Sequence, residues 1–529
     1  MNMKRKLLSL AVLSTVGVAG TASAGFLSET GTGQVLIYPY YTVQNGFDTY
    51  INVTNTTGSP KAVKVRFREA KNSAEVLDFN LYLSPYDVWA GVITADGTDG
   101  ARIKTADTSC TVPAIPTEGE PFRNLYYTGQ AFGQTDDDND DAEDDLNRVR
   151  EGYVEIIEMG VPQHIDIDMT SATVYFDTAI KHTGTGASRK PGNCAAIVAA
   201  WDTAVGDGSD SIFTSLTNEL SAPVGGLMGQ GTLINVAQGT DYGYDPVVVE
   251  SWASSDPDYR IDLGDYVGDD LHSFPGDLSP SIANGVPIAA VLMAASPVPT
   301  TIASGYGPSV PYGNASPGAQ AMSAILMHSA LMNTYNVEAS LASGTDWVVT
   351  FPTKSEYVKA DSADLPFNIR EPFDNGNSVN GDTTGACQRT NLKIVDREEQ
   401  EQSGSVNFSP RPRGSTFSLC WEANVLTFNN SNVLGSEKVN TNIPVPYNNG
   451  WVKLSWPVVT GAWVDDEWTA NGGVTVDILQ NLIMNGPSFV GLPAVGFAVQ
   501  EYVNGNVGGS LSNYGGEWIH KYERELYMD

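Results

Sequence analysis

The chain has 529 residues, 41% of them hydrophobic, with 62 acidic against 29 basic side chains and a formal net charge of −33. The hydrophobic content excludes a disordered chain, and the length exceeds what one simple core serves, so two or three domains are expected. The negative field repels nucleic acid and anionic lipid, and it attracts divalent cations.

The first residues read as a secretory leader: Lys4, Arg5 and Lys6, an apolar run from Leu7, and Thr21-Ala22-Ser23-Ala24 before Gly25. Cleavage after Ala24 removes those three cations and takes the charge from −33 to −36. No later segment approaches the roughly 18 to 20 apolar residues of a membrane-spanning helix, since Val286 to Val298 is short and interrupted by prolines. The residue directly after the cleavage site is Gly25, not a cysteine that could accept a lipid. The expected product is exported to the cell surface or medium, with the periplasm as the alternative, and does not span the membrane.

Residues 25–182 are expected to form a β-sandwich-like domain. Val63, Val65 and Phe67 alternate with Lys64, Arg66 and Arg68, which places apolar groups on one strand face and cations on the other. Val35 to Tyr38 and Tyr50 to Val53 read as neighbouring strands, with Asn45-Gly46 and Thr57-Gly58-Ser59-Pro60 as turns, and Leu77, Phe79, Leu81 and Leu83 alternate again before Ser84-Pro85. An insertion at 136–145 is acidic at eight of its ten positions and reads as a solvated loop. Strand pattern resumes from Gly152 to Glu158, from His164 to Met169 and from Thr173 to Phe176. Residues 183–345 read as mixed loop and helix, with helices at Ala195 to Trp201 and at Ala319 to Tyr335, the second opened by Ser316-Pro317. Residues 346–529 return to β, with strands at Trp347 to Phe351, Trp421 to Phe428, Trp451 to Trp456 and Val495 to Val503. The overall expectation is a mainly β chain.

Four cysteines, Cys110, Cys194, Cys387 and Cys420, contain no C-x-x-C pair, and in an exported chain they favour disulfides over metal. Of three pairings, Cys110 with Cys194 and Cys387 with Cys420 are favoured because each closes a loop within or beside one domain.

The phrases GFDTYINVTNTTG (46–58), KAVKVRFREAKNSAEVLDFNLYLSPYDVW (61–89), REGYVEIIEMG (150–160), INVAQGT (234–240), GTDWVVTFPTK (344–354) and GLPAVGFAVQEYVNG (491–505) span nearly the whole mature chain. In them the chain resembles exported proteobacterial proteins labelled as cell surface proteins. The resemblance implies an envelope or extracellular location. It carries no reaction and no site residues.

Two patterns have metal-ligand chemistry. On a strand, His164, Asp166 and Asp168 would share a face and line up an imidazole with two carboxylates, while Ile165, Ile167 and Met169 pack inward. Asp136, Asp138 and Asp140 in the acidic insertion offer oxygens to calcium, although the run departs from the EF-hand pattern. Asp256 to Asp270 beside His272 reads first as an acidic loop and second as a calcium loop. The chain lacks H-E-x-x-H, the phosphate-cradling G-x-x-x-x-G-K-[ST] and G-x-S-x-G. Tyr38, Tyr40 and Tyr41 could form a sugar-stacking platform, but strand-core tyrosines are the commoner outcome. Core packing is likewise expected of Met322, Met327 and Met332, and a core or boundary place on the second helix of His328. The reading that follows is an exported structural or adhesive protein, self-associating or bound to other envelope components with calcium assistance. The alternative is a secreted carbohydrate-binding protein or hydrolase.

Overall fold

The computed structural model describes residues 24–128, 146–168, 173–201, 212–215, 218–253, 271–286, 289–293, 296–298, 317–357, 388–401, 417–456 and 488–527, with short pieces between 459 and 482. The leader, Asp136, Asp138 and Asp140, the acidic stretch from Asp256 to Asp270, and Cys387 lie outside the described residues. The fold is mainly β and is built from two sandwiches.

In the first sandwich, alternating apolar residues give β1 (Phe26–Leu27), β2 (Val35–Thr42), β3 (Asp48–Asn55), β4 (Lys61–Glu69), β5 (Glu75–Leu83), β6 (Val88–Asp96), β7 (Gly100–Lys104), β8 (Cys110–Val112), β9 (Glu120–Pro121) and β10 (Glu151–Pro162). Three later strands complete it: β11 (Leu227–Asn235), β12 (Thr240–Tyr244) and β13 (Val247–Glu250). One sheet runs β1-β13-β2-β10-β4-β5-β8 and the facing sheet β12-β11-β3-β6-β7-β9. The sandwich therefore extends past residue 182, because β11 pairs with β3 and β13 pairs with β2. Those pairings join segments roughly 170 to 215 residues apart, which local pattern cannot reveal.

The second sandwich contains β14 (Ala330–Asn336), β15 (Ser343–Thr350), β16 (Gln388–Asp396), β17 (Phe417–Leu419), β18 (Ala423–Phe428), β19 (Asn440–Ile443), β20 (Asn449–Ser455), β21 (Val495–Tyr502), β22 (Tyr514–Ile519) and β23 (Lys521–Glu523). Its sheets run β17-β16-β20-β14-β23 and β19-β18-β15-β21-β22. Successive residues of β15 and β18 point to opposite faces. Val348 and Val425 therefore join the core of the first sandwich, with Leu36 and Tyr40, while Trp347 and Leu426 pack with Leu331, Val452 and Leu454 of the other sheet. This sheet is covered on both faces. Thr350 Oγ1 donates to the Pro39 carbonyl at 2.7 Å, Ala423 N donates to Ala70 O at 2.9 Å, and the Tyr244 and Phe497 rings stack at 4.8 Å across the same junction.

Helices α1 (Phe176–Ile180), α2 (Cys194–Trp201) and α3 (Pro317–Leu326) belong to the apolar cluster that includes Val35, Ile37 and Tyr82 of the first sheet. The expected helix at 195–201 is α2. The expected helix from Ala319 to Tyr335 stops at Leu326: Met327 and His328 pair with Leu492 and Pro493, and Ala330 to Asn336 pair with β20. Sheet hydrogen bonds override the helix propensity of Ala and Leu there. His328 thus sits on a short strand, buried, with Nδ1 at 3.0 Å from Ala494 O. Met322 and Met327 are core residues. The disulfide from Cys110 to Cys194 ties β8 to α2 across 84 residues, and Cys420 is also disulfide-bonded.

The cationic face of β4 is not solvated. Lys64 and Arg66 are fully buried and paired with Asp78 at 3.1 Å and Glu75 at 2.5 Å, and on the opposite face Lys61 is likewise buried and paired with Glu158 at 2.7 Å. A segment about 200 residues downstream covers two of them: Lys64 Nζ donates to Phe274 O, and Arg66 donates to the Leu278 and Pro280 carbonyls. Removing one partner of a buried pair strands the other charge, at a cost of about 3–5 kcal/mol. Arg66→Met is expected to lower the stability of the first sandwich by that amount in urea unfolding, and Arg66→Met with Glu75→Leu to recover a large part of it.

Candidate interaction surface

The chain from Val495 to Glu523 closes both sheets of the second sandwich. β22 pairs with β21 and ends one sheet, the chain turns a corner at buried His520, and β23 pairs with β14 and ends the other. Asn333 Nδ2 holds the corner by donating to Trp518 O at 3.0 Å, and His520 Nε2 lies 2.9 Å from Val348 O. Each of the two strands therefore has one sheet neighbour among the described residues, and edge strands carry backbone groups able to pair with another chain.

The same segment carries exposed apolar side chains: Tyr514 (62%), Trp518 (45%), Ile519 (54%) and Tyr522 (50%), with Val507 and Leu511 on the preceding hairpin. Contiguous apolar exposure of this kind marks interaction sites. Gly515 and Gly516 are required by close approach, since a Cβ at either would collide with the Tyr242 or Trp518 ring respectively. The Trp518 ring thus lies over Gly516. Tyr514 and Trp518, four residues apart on β22, share one face under a two-residue period, while Tyr522 lies on β23 beyond the corner at His520; the Tyr514–Trp518 spacing is the sequence signal for this surface.

Other site candidates fall differently. The strand leading to His164 ends at Pro162, so His164, Asp166 and Asp168 do not line one strand face. His164 stacks on Tyr175 with Nδ1 at 2.9 Å from Asp177, while Asp166 Oδ1 accepts from the backbone of Asp168 and Val174 as a turn former. Among the described residues no group of three or more His, Cys, Asp or Glu is placed to hold a metal. His272 is buried among Tyr82, Phe176, Trp201 and Phe213, with Nε2 at 2.9 Å from the Tyr82 hydroxyl. Tyr38, Tyr40 and Tyr41 are all fully buried, their hydroxyls bonded to Asn52 O, Glu151 and Val149 O, so they form core and no platform. No described helix is long and apolar enough to cross a membrane.

Burial sets the titration of this end of the molecule. It raises the carboxyl of Glu422 to about 8 and those of Asp346 and Glu517 to about 7, Glu517 also feeling Asp245. It lowers His328 to about 3 and His520 to about 4. A carboxyl with a raised folded pKa contributes stability that is full below its unfolded value and lost as pH rises through the folded one. The histidines do the reverse, losing stability as pH falls from 6.5 toward 4 and 3. Thermal melts are therefore expected to show a higher Tm near about pH 5.5 than at pH 8, and Glu422→Gln to shrink that difference.

Comparison with protein-family models, curated proteins and solved structures gives no match.

Proposed function

We propose that this chain is an exported structural or adhesive protein of the cell surface that associates with further copies of itself through the edge formed by residues 514–522. The observation that carries this reading is the exposed aromatic strip on an edge strand of β22. The occupant of that edge is a second copy, pairing beside β22 while Tyr242 of β12 covers the Gly515 position. In antiparallel pairing about a twofold axis at Gly516, Tyr514 of each copy meets Trp518 of the other, a stabilising cross-strand aromatic pair. The same register sets Glu517 opposite Gly515 and keeps the two carboxylates apart. Leader-like residues 1–24 and the resemblance to exported surface proteins support the location. Calcium enters because the charge of −36 left after removal of the leader repels like copies, and a divalent cation bridging carboxylates offsets that repulsion.

Sedimentation velocity of residues 25–529 tests the association. The expected result is concentration-dependent dimers or larger species, strengthened by calcium and weakened about tenfold or more by Trp518→Asp or Tyr514→Lys, with Tm unchanged because both side chains are exposed. Association that is indifferent to both substitutions, or a strictly monomeric protein with and without calcium, overturns it.

A further inference from the structure

A cavity of about 480 Å³ opens on the first sandwich, far along its sheet from β2 and its junction with the second. Its walls are the start of β5, the chain just after β8 and residues 120–126, with Pro275 and Gly276 beside them. Its size falls in the range of ligand pockets, which are apolar with a few convergent polar groups. Leu77, Ile115, Leu125, Tyr126 and Pro275 supply the apolar part.

The polar part is defined by charge balance. Three carboxylates line the cavity, and each already has a cation: Glu75 holds Arg66, Asp78 holds Lys64 and Glu120 holds Arg123 at 2.6 Å. A charged ligand would leave water with no unpaired wall charge to receive it, and desolvating an ion is costly. The described pairs use one oxygen of each carboxylate, Glu75 Oε2, Asp78 Oδ2 and Glu120 Oε1. A carboxylate accepts several hydrogen bonds, so the second oxygens remain acceptors. The walls thus present acceptors, the exposed guanidinium of Arg123 and an aromatic ring, within an apolar frame.

We infer that this cavity binds an uncharged, hydroxyl-rich ligand with an apolar face, the chemistry of a short saccharide. Hydroxyls donate to Asp78 and Glu120 and accept from Arg123, while the C–H face of a sugar ring packs on Tyr126 and Leu125. The inference is independent of the edge surface and would make the protein adhesive toward glycans whether or not it self-associates.

The test is saturation-transfer NMR and calorimetry on residues 25–529 with glucose, galactose, N-acetylglucosamine, cellobiose and chitobiose, and with butylammonium and benzoate as charged probes. Saturable binding of at least one saccharide is expected, weakened about tenfold or more by Leu125→Trp, which fills the cavity, and by Glu120→Ala, which removes an acceptor. Leu125 and Glu120 are both partly exposed, so an unchanged Tm is expected to accompany each loss. The inference is overturned if no saccharide in the panel binds, if binding survives both substitutions, or if a charged probe binds more tightly than every sugar.

Discussion

Two-faced burial of sheets is the constraint on which this molecule is built. The sheet centred on β15 is covered by the first sandwich on one side and by its own partner sheet on the other, and β2 is buried along its whole length. A strand in that position has no solvent face for its polar residues. Glu151 is the example: it is fully buried, its carboxyl pushed upward by burial, and it is satisfied by the Tyr40 hydroxyl at 2.7 Å and the backbone N–H of Lys438 at 3.0 Å. The two sandwiches are joined through such bonds as well as through apolar contact. The ion pairs of β4 follow from the same constraint, since its second face is roofed by residues 273–280.

That constraint also explains what could be read in advance. The inward residues Val63, Val65 and Phe67 were legible because alternation reports which residues share a face. The fate of Lys64 and Arg66 was not, because their cover arrives from a segment some 200 residues away. Strands at 347–351 and 495–503 were legible from β-branched and aromatic runs, whereas the switch from helix to strand at Met327 depends on partners at Leu492 and Pro493. The His164 pattern failed for the converse reason: alternation is only meaningful on a strand, and this one ends at Pro162, two residues earlier.

The candidate surfaces divide in the same way. The aromatics of β22 and β23 lie close together in sequence at a regular spacing, and their edge position follows from being the last strands added to two sheets. The cavity draws its walls from residues 75–79, 113–126 and 275–276, and no local motif marks it. Its character emerges only when each carboxylate is matched with its cation in space. The disulfide from Cys110 to Cys194 anchors β8, immediately before the wall residue Pro113, and so links the covalent frame to this end of the sandwich.

The most direct test of the account is where the protein resides and in what form. Native cells fractionated into periplasm, outer membrane, surface wash and medium, with and without a calcium chelator, should yield the protein in the surface wash as assembled material that the chelator loosens. Soluble monomer confined to the periplasm, with a distribution unchanged by the chelator, would contradict the surface-assembly reading.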